Sequence, residues 1–156
     1  MGIYSLSIQK LSDLPQNATV AIPVDPSNAG RALLLLKEAN LISLNPQTGL
    51  FPTLKDISHN PYHLKIKELE AAALPRMLKD FTLAAINTNY AIQARLTPSR
   101  DALFIEHKDS PYANIIVVRL GEETQEKYKK LLEALHSKEV VEEAQKLFSG
   151  EAIPAW

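Results

Sequence analysis

The chain has 156 residues, of which 46% are apolar and 22% charged, and its formal net charge is -1. This length and balance are typical of one globular domain with a sizeable core, and a near-neutral chain does not have the clustered Lys and Arg of a nucleic-acid binder. There is no cysteine, which excludes disulfides, thiolate catalysis and cysteine-ligated metals.

The first two-thirds of the chain predicts strands and helices in alternation. Residues 20–23 form a short apolar run that indicates a buried strand, and Asp25-Pro26-Ser27-Asn28 follows as a cluster that can cap a helix. That helix is predicted over 30–39. Turn-forming residues dominate 43–63, where only a short helix is expected at 53–58. Further elements are predicted as a strand over 64–69, a helix over 70–78, a strand over 82–86 and a helix over 87–94.

The alternation predicts the α/β class, with a mostly parallel sheet flanked by helices. Two more strands are predicted at 102–106 and 114–119. Two amphipathic helices, over 122–135 and 138–148, are predicted to close the chain.

Two polar groups are predicted to follow buried strands, at the sheet edge where open α/β proteins bind ligands. Arg31 lies one turn inside the predicted helix, where its planar guanidinium and the helix N-terminus suit a carboxylate. Asn87 directly follows the strand predicted over 82–86, and an amide can accept from an ammonium and donate to a carboxylate. The alternative roles are a surface ion pair for Arg31 and helix capping for Asn87.

A third polar group, Ser110-Pro111-Tyr112-Ala113-Asn114, precedes the last predicted strand. Tyr112 and Asn114 could point into a cleft, or the segment could be a simple turn into an edge strand. Enzymatic motifs are absent: there is no nucleophile elbow, no Walker loop and no dinucleotide fingerprint. His59 and His63 are four residues apart, but Asn60-Pro61 between them breaks the helix that would align them for a metal.

In chain order these pieces resemble the NlpA lipoproteins, the methionine-binding substrate-binding proteins of ABC transporters. The resemblance covers nearly the whole chain and is carried by the following segments: Tyr4-Ser5, Val20-Ala21-Ile22-Pro23, Asp25-Pro26-Ser27-Asn28, Arg31-Ala32-Leu33-Leu34-Leu35-Leu36, Leu64-Lys65-Ile66, Glu68-Leu69-Glu70-Ala71, Leu74-Pro75-Arg76, Ile86-Asn87-Thr88-Asn89-Tyr90-Ala91, Asp101-Ala102-Leu103-Phe104-Ile105-Glu106 and Ser110-Pro111-Tyr112-Ala113-Asn114-Ile115-Ile116-Val117.

The resemblance implies a periplasmic-binding-protein-like (type II) clamshell of two α/β lobes with the ligand in the cleft. On that plan, 1–15 is a crossover segment and 16–100 is the second lobe. Residues 101–118 are return crossover strands, and 119–156 are C-terminal helices of a partly missing first lobe.

The same resemblance assigns ligand contacts to five residues. Arg31 would hold the carboxylate of L- or D-methionine, and Asn87 and Asn114 would bind its carboxylate and ammonium, with Asn28 and Tyr112 as neighbours. It implies no cofactor, no metal and no catalysis. The partner it implies is a methionine permease–ATPase complex at the cell envelope, to which family members are lipid-anchored through an N-terminal cysteine.

Two departures from the family pattern shape the expectations. Val24 stands where the family more often has Asn before the Asp-Pro. The signal peptide, the lipidation cysteine and the early first-lobe segment, whose aromatic residues enclose the thioether, have no counterpart in this sequence. We therefore expect weak ligand binding by this chain alone. The apolar faces of the last two helices predict a homodimer or a domain swap.

Two alternatives remain open at this point. One is a member of the same family that binds another amino acid or a methionine-containing dipeptide. The other is a surface lipoprotein that acts as an adhesin or antigen through protein contacts.

Overall fold

The computed structural model describes residues 1–107, 110–148 and 150–156. The chain forms two compact units, Met1–His107 and Lys108–Trp156. In the first unit the elements are, in order, β1 (Gly2–Tyr4), β2 (Thr19–Pro23), α1 (Pro26–Glu38), β3 (Ser43–Leu44), β4 (Ile57–His59), β5 (Lys65–Leu69), α2 (Leu74–Met77), β6 (Leu83–Ile86), α3 (Thr88–Gln93), α4 (Pro98–Asp101) and β7 (Ala102–Ile105).

Five strands of the first unit form one mixed sheet in the order β5-β2-β6-β1-β7. β2 pairs in parallel with β5 and β6, whereas β1 pairs antiparallel with both β6 and β7. Four strands therefore run in one direction and β1 alone runs against them. The predicted α/β class, with a mostly parallel sheet flanked by helices, is confirmed.

The central strands are buried on both faces, which explains their uninterrupted apolar sequences. Side chains alternate between the faces: Val20 and Ile22 pack into the larger core with α1, whereas Ala21 packs into a smaller core with Leu74 of α2. β6 alternates in the same way, with Leu83 and Ala85 on the α1 side and Ala84 and Ile86 on the α2 side.

Helix α1 begins four residues before the predicted start at Gly30. The Asp25 side chain caps it by accepting a hydrogen bond from the Asn28 backbone N–H at 3.0 Å, and Pro26 occupies the first turn, where it sacrifices no hydrogen bond. Gly30 lies where the chain passes close by: an added Cβ would be 3.2 Å from Phe51 Cα and 3.3 Å from the Leu50 carbonyl oxygen. This glycine therefore permits close packing of a loop on the helix.

The segment 43–63, predicted as a loop with a short helix, contains more structure than expected. A 3₁₀ turn at Leu54–Asp56 agrees with that helix. Strands β3 and β4 pair antiparallel there as a two-stranded sheet, and they were missed because two or three residues are too few to show a period. The helix predicted over 70–78 is only one turn long, since α2 spans four residues and continues as a 3₁₀ turn at Leu78–Asp80.

The second unit contains the two predicted C-terminal helices, α5 (Glu126–Leu135) and α6 (Lys138–Leu147). The strand predicted at 114–119 is wrong. Residues 113–119 have no regular secondary structure, because no strand of the described residues pairs with them and an apolar run alone satisfies no backbone hydrogen bonds. Among the helices of the described residues, none is both long and apolar enough to cross a lipid bilayer.

Many large apolar side chains of the second unit remain exposed to solvent. On and beside α5 and α6 they are Leu131, Leu132, Leu135, Val140, Leu147 and Phe148.

Candidate functional site

Polar residues of the first unit gather where three co-directional strands end. Asp25 comes two residues after β2, Asn87 directly after β6, and Glu106 directly after β7. Because these strands run the same way in one sheet, their carboxyl ends share an edge, which is where open α/β sheets bind ligands. Helix α1 starts at this edge and carries Asn28 and Arg31.

Arg31 forms a two-pronged ion pair with Glu106. The Arg31 Nε donates to both carboxylate oxygens, at 2.9 and 3.0 Å, and Nη2 also donates to Oε2. The side chains are only 24% and 11% exposed. The ion pair offered as the alternative role of Arg31 is therefore present, but it is largely buried at the sheet edge. It holds a planar cationic group in a fixed orientation there.

Glu106 also accepts from the α-amino group of Met1 at 2.9 Å. Burial lowers the pKa of that amino group, although the nearby Glu106 carboxylate acts in the opposite direction.

A second network joins Asn87, Asn28 and Asp25 across the same edge. The Asn87 Nδ2 donates to Asn28 Oδ1 at 2.7 Å. The Asn28 Nδ2 donates in turn to both oxygens of the Asp25 carboxylate, at 3.0 and 3.1 Å. This three-residue chain, hereafter the amide relay, connects the helix cap of α1 to the end of β6.

The amide relay leaves one buried acceptor at its end. The Asn87 Oδ1 is inaccessible to solvent and has no hydrogen-bond partner among the described residues. A buried polar atom without a partner is costly, by about 1–3 kcal/mol, and therefore needs an explanation. The atom is an acceptor and suits a ligand that brings an N–H or O–H donor.

The alternative role predicted for Asn87 was to cap the helix that follows it, and the structure does not show this role. Asn87 occupies the position before α3, but within the described residues its side chain makes no capping hydrogen bond. Its amide is directed at Asn28 instead.

Tyr112 and Asn114, the other two predicted contacts, belong to the second unit. The Tyr112 backbone N–H donates to Ser110 Oγ at 3.2 Å, and Asn114 is exposed. Their part in ligand binding stays a prediction, as do the ligand contacts of Arg31, Asn28 and Asn87.

Sequence reasoning did not single out Glu106 or the second role of Asp25. An acidic residue at the end of the strand predicted over 102–106 was the available signal for Glu106. The three-residue spacing of Asp25 and Asn28 places both on one side of a helix start, but it indicates capping alone. In the part of the chain that the structure describes, no group of three or more metal-ligating side chains is present.

The known proteins to which this chain is similar agree with one another. The sequence matches the model of the NlpA lipoprotein family over residues 1–156. It is 50% identical over 155 residues to the D-methionine-binding lipoprotein MetQ of Salmonella typhimurium, a match that covers 98% of this chain and 57% of that relative. The chain thus spans little more than half the length of this curated relative.

Two solved structures are similar in both sequence and fold. A periplasmic substrate-binding protein of an ABC transporter from Coxiella burnetii is 52% identical with a TM-score of 0.89, over 99% of this chain and 65% of that one. A nutrient-binding protein from Burkholderia cenocepacia bound to methionine is 49% identical with a TM-score of 0.85, over 96% and 63%. From the family match over its whole length, this chain belongs to the NlpA lipoprotein family.

Proposed function

We propose that this chain belongs to the substrate-binding component of a methionine importer and holds the polar end of the amino acid. The observation that carries the proposal is the pairing of two groups at one sheet edge: the oriented guanidinium of Arg31 and the buried acceptor Oδ1 of Asn87. A zwitterionic amino acid presents the two matching groups, a carboxylate and an ammonium, a few ångströms apart.

The roles follow from charge and hydrogen-bonding capacity. Arg31 receives the ligand carboxylate, which joins or replaces the interactions that the guanidinium makes with Glu106. The ammonium donates to Asn87 Oδ1, and Asn28 orients the Asn87 amide by accepting a hydrogen bond from its Nδ2. Asn114 and Tyr112 stay predicted ligand contacts, as the family resemblance implies.

Methionine is the ligand we infer because of what the relatives bind. The Salmonella relative is named for D-methionine binding, and the Burkholderia protein was solved with methionine. By the same reasoning the whole protein is lipid-anchored at the cell envelope, delivers methionine to a permease–ATPase complex and catalyses no reaction.

The affinity of this chain is expected to be modest. Hydrogen bonds to charged groups contribute about 1.5–3 kcal/mol each, so two of them give about 3–6 kcal/mol. A binding free energy of about 4 kcal/mol corresponds to a Kd of about 1 mM. Tight methionine binding would require an apolar enclosure for the thioether in addition to these contacts.

The test is an NMR titration of the purified chain with L- and D-methionine, with its mass in solution recorded in the same sample. L-Leucine and a methionine-containing dipeptide serve as competing ligands. Arg31→Ala removes the carboxylate partner, and Arg76→Ala, an exposed arginine on α2, is the matched control.

We expect methionine to shift the amide signals that follow β2 and β6, with saturation at millimolar concentration. Arg31→Ala should weaken binding at least about tenfold, and Arg76→Ala should not. Equal binding by wild type and Arg31→Ala would contradict the proposal. So would a folded wild-type chain that binds neither stereoisomer, and preferential binding of leucine or the dipeptide would replace methionine as the ligand.

A further inference from the structure

We propose that Asp25 is a positioning residue that acts through Asn28 to fix which atom of Asn87 faces the ligand. Asp25 caps α1 and so has an evident structural role. Asp25 also lies at the end of the amide relay opposite Asn87. It would therefore act on the ligand ammonium through Asn28 and Asn87, without contacting it. The inference rests on the proposed function for the identity of its ligand, but the relay itself does not.

An amide can be turned by 180° with little change in shape, and this exchanges a donor for an acceptor. An isolated pair of hydrogen-bonded asparagines could therefore present either an oxygen or an N–H to a ligand. A carboxylate removes this ambiguity because, when ionised, it only accepts.

The direction of the relay follows in two steps. Both oxygens of Asp25 accept from Asn28 Nδ2, at 3.0 and 3.1 Å, so Asn28 must turn its oxygen toward Asn87. That oxygen accepts from Asn87 Nδ2 at 2.7 Å. Asn87 is then left with its own oxygen at the buried end of the relay.

The fixed orientation of the Asn87 amide selects among ligands by the hydrogen-bond donors and acceptors that they carry. An ammonium has three donors and no acceptor, so it matches the Asn87 oxygen and would be repelled by the reversed amide. A hydroxyl group can donate or accept, so it tolerates either orientation. The relay thus favours an α-amino acid over the corresponding α-hydroxy acid.

Asp25→Asn separates the positioning role from the capping role. Asparagine caps helices about as well as aspartate, so the hydrogen bond from the Asn28 backbone N–H can be kept. The new Nδ2 would take the place of Oδ2 and face the Nδ2 of Asn28, whereas the retained oxygen still accepts from that Nδ2 and from the Asn28 backbone N–H. Either orientation of the Asn28 amide then has one favourable and one unfavourable contact, so the direction of the relay is no longer fixed. Asn87 would then present its oxygen in some molecules and an N–H in others.

The first measurement needs no ligand. Side-chain amide signals of Asn28 and Asn87 are recorded in ¹⁵N-labelled protein and assigned by Asn28→Ala and Asn87→Ala. In Asp25→Asn we expect the signals of both asparagines to shift, with the thermal midpoint preserved. Asp13→Asn, at an exposed site in the same unit, should shift neither. A change confined to Asn28 would overturn the proposal.

The second measurement compares L-methionine with its α-hydroxy analogue, 2-hydroxy-4-(methylthio)butanoate. The wild-type preference for the amine should fall about twofold in Asp25→Asn if both orientations are equally populated, whereas Arg31→Ala should weaken both ligands alike. Equal weakening of both ligands by Asp25→Asn would reduce Asp25 to a structural cap. If neither ligand binds the wild-type chain, the proposed function fails, and the amide signals still decide the relay.

Should Asp25→Asn not fold, Asp25→Ser replaces it. Serine also caps helices well, but its single hydroxyl oxygen cannot replace the two carboxylate oxygens that accept from Asn28 Nδ2. The Asn87 signals should again shift, and unchanged Asn87 signals in a folded Asp25→Ser variant would count against the proposal.

Discussion

The ion pair between Arg31 and Glu106 is expected to stabilise the first unit well beyond the usual contribution of a surface pair. At about 3 Å and an effective dielectric constant of 20, the Coulomb attraction is about 5–6 kcal/mol. Desolvation of two largely buried charges offsets much of this. From the paired geometry and the low exposure of both side chains, we expect a net coupling of about 2 kcal/mol, within the range of residues that share a network.

A double-mutant cycle with Arg31→Ala, Glu106→Gln and the double variant measures this coupling. The single change Glu106→Gln should cost about 2–3 kcal/mol, which is less than for a fully buried pair because Arg31 keeps some contact with water. The contact of Glu106 with the Met1 amino group is lost in both arms that carry Glu106→Gln, so it cancels from the coupling.

Urea unfolding should be followed through NMR signals of the first unit, such as those of Ala21 and Ala84, because the chain has two compact units and a single two-state transition is not assured. The exposed pair Lys10–Asp13, at 3.7 Å in the same unit, is the control and should give about 0.2–1 kcal/mol. A coupling below about 0.5 kcal/mol for Arg31–Glu106 would refute the reasoning, since it would place the pair among ordinary surface pairs.

Four further predictions concern stability and association. Leu33→Ala, at a fully buried position on α1, should cost about 3 kcal/mol of unfolding free energy, whereas Leu50→Ala at an exposed site should cost under about 0.5 kcal/mol. Gly30→Ala gains about 1 kcal/mol of helix propensity, but its Cβ would press on the backbone of the adjacent loop. A net destabilisation of about 1 kcal/mol is therefore expected in the same urea assay, and a stabilised variant would show that the loop yields freely. The hydrogen bond from Arg100 lowers the pKa of Asp101 from 3.8 to about 2. The resulting stability is present above pH 3.8 and is lost as pH falls through about 2, so thermal melts of Asp101→Asn should lack this component. Light scattering at rising concentration should show a dimer or larger species, because α5 and α6 expose apolar side chains; a monomer throughout would contradict this.

Most of the first unit could be predicted from its sequence because the decisive signals are local. The apolar runs at 20–23 and 83–86 are continuous, as is typical of strands buried on both faces, and both lie in strands of the structure. β1 was not predicted as a strand, since Gly2–Tyr4 is only three residues long. Its place between β6 and β7 depends on pairing between residues at least 80 positions apart, which no local pattern encodes.

The residue types of the candidate site could be predicted from the sequence, but the contacts between these residues could not. Arg31 and Asn87 could be singled out because each follows a predicted buried strand. That Arg31 pairs with Glu106, 75 residues away, and that Asn28 joins Asn87, 59 residues away, follows only from the order of strands in the sheet. The strand predicted at 114–119 was wrong for the same reason, because a strand needs a neighbour as well as apolar residues.

The register of the sheet is what makes the amide relay geometrically available. β2 and β6 are parallel neighbours in which Ala21 lies opposite Ala84, so Asp25 is four residues beyond that pair and Asn87 is three. Both side chains therefore emerge just past the same edge, where the first turn of α1 can place Asn28 between them. A slip of one residue between these strands would exchange the faces of β6 and carry Asn87 away from Asn28. The apolar residues that fill the two cores, by fixing that register, also fix the orientation of the polar group that we expect to receive the ammonium.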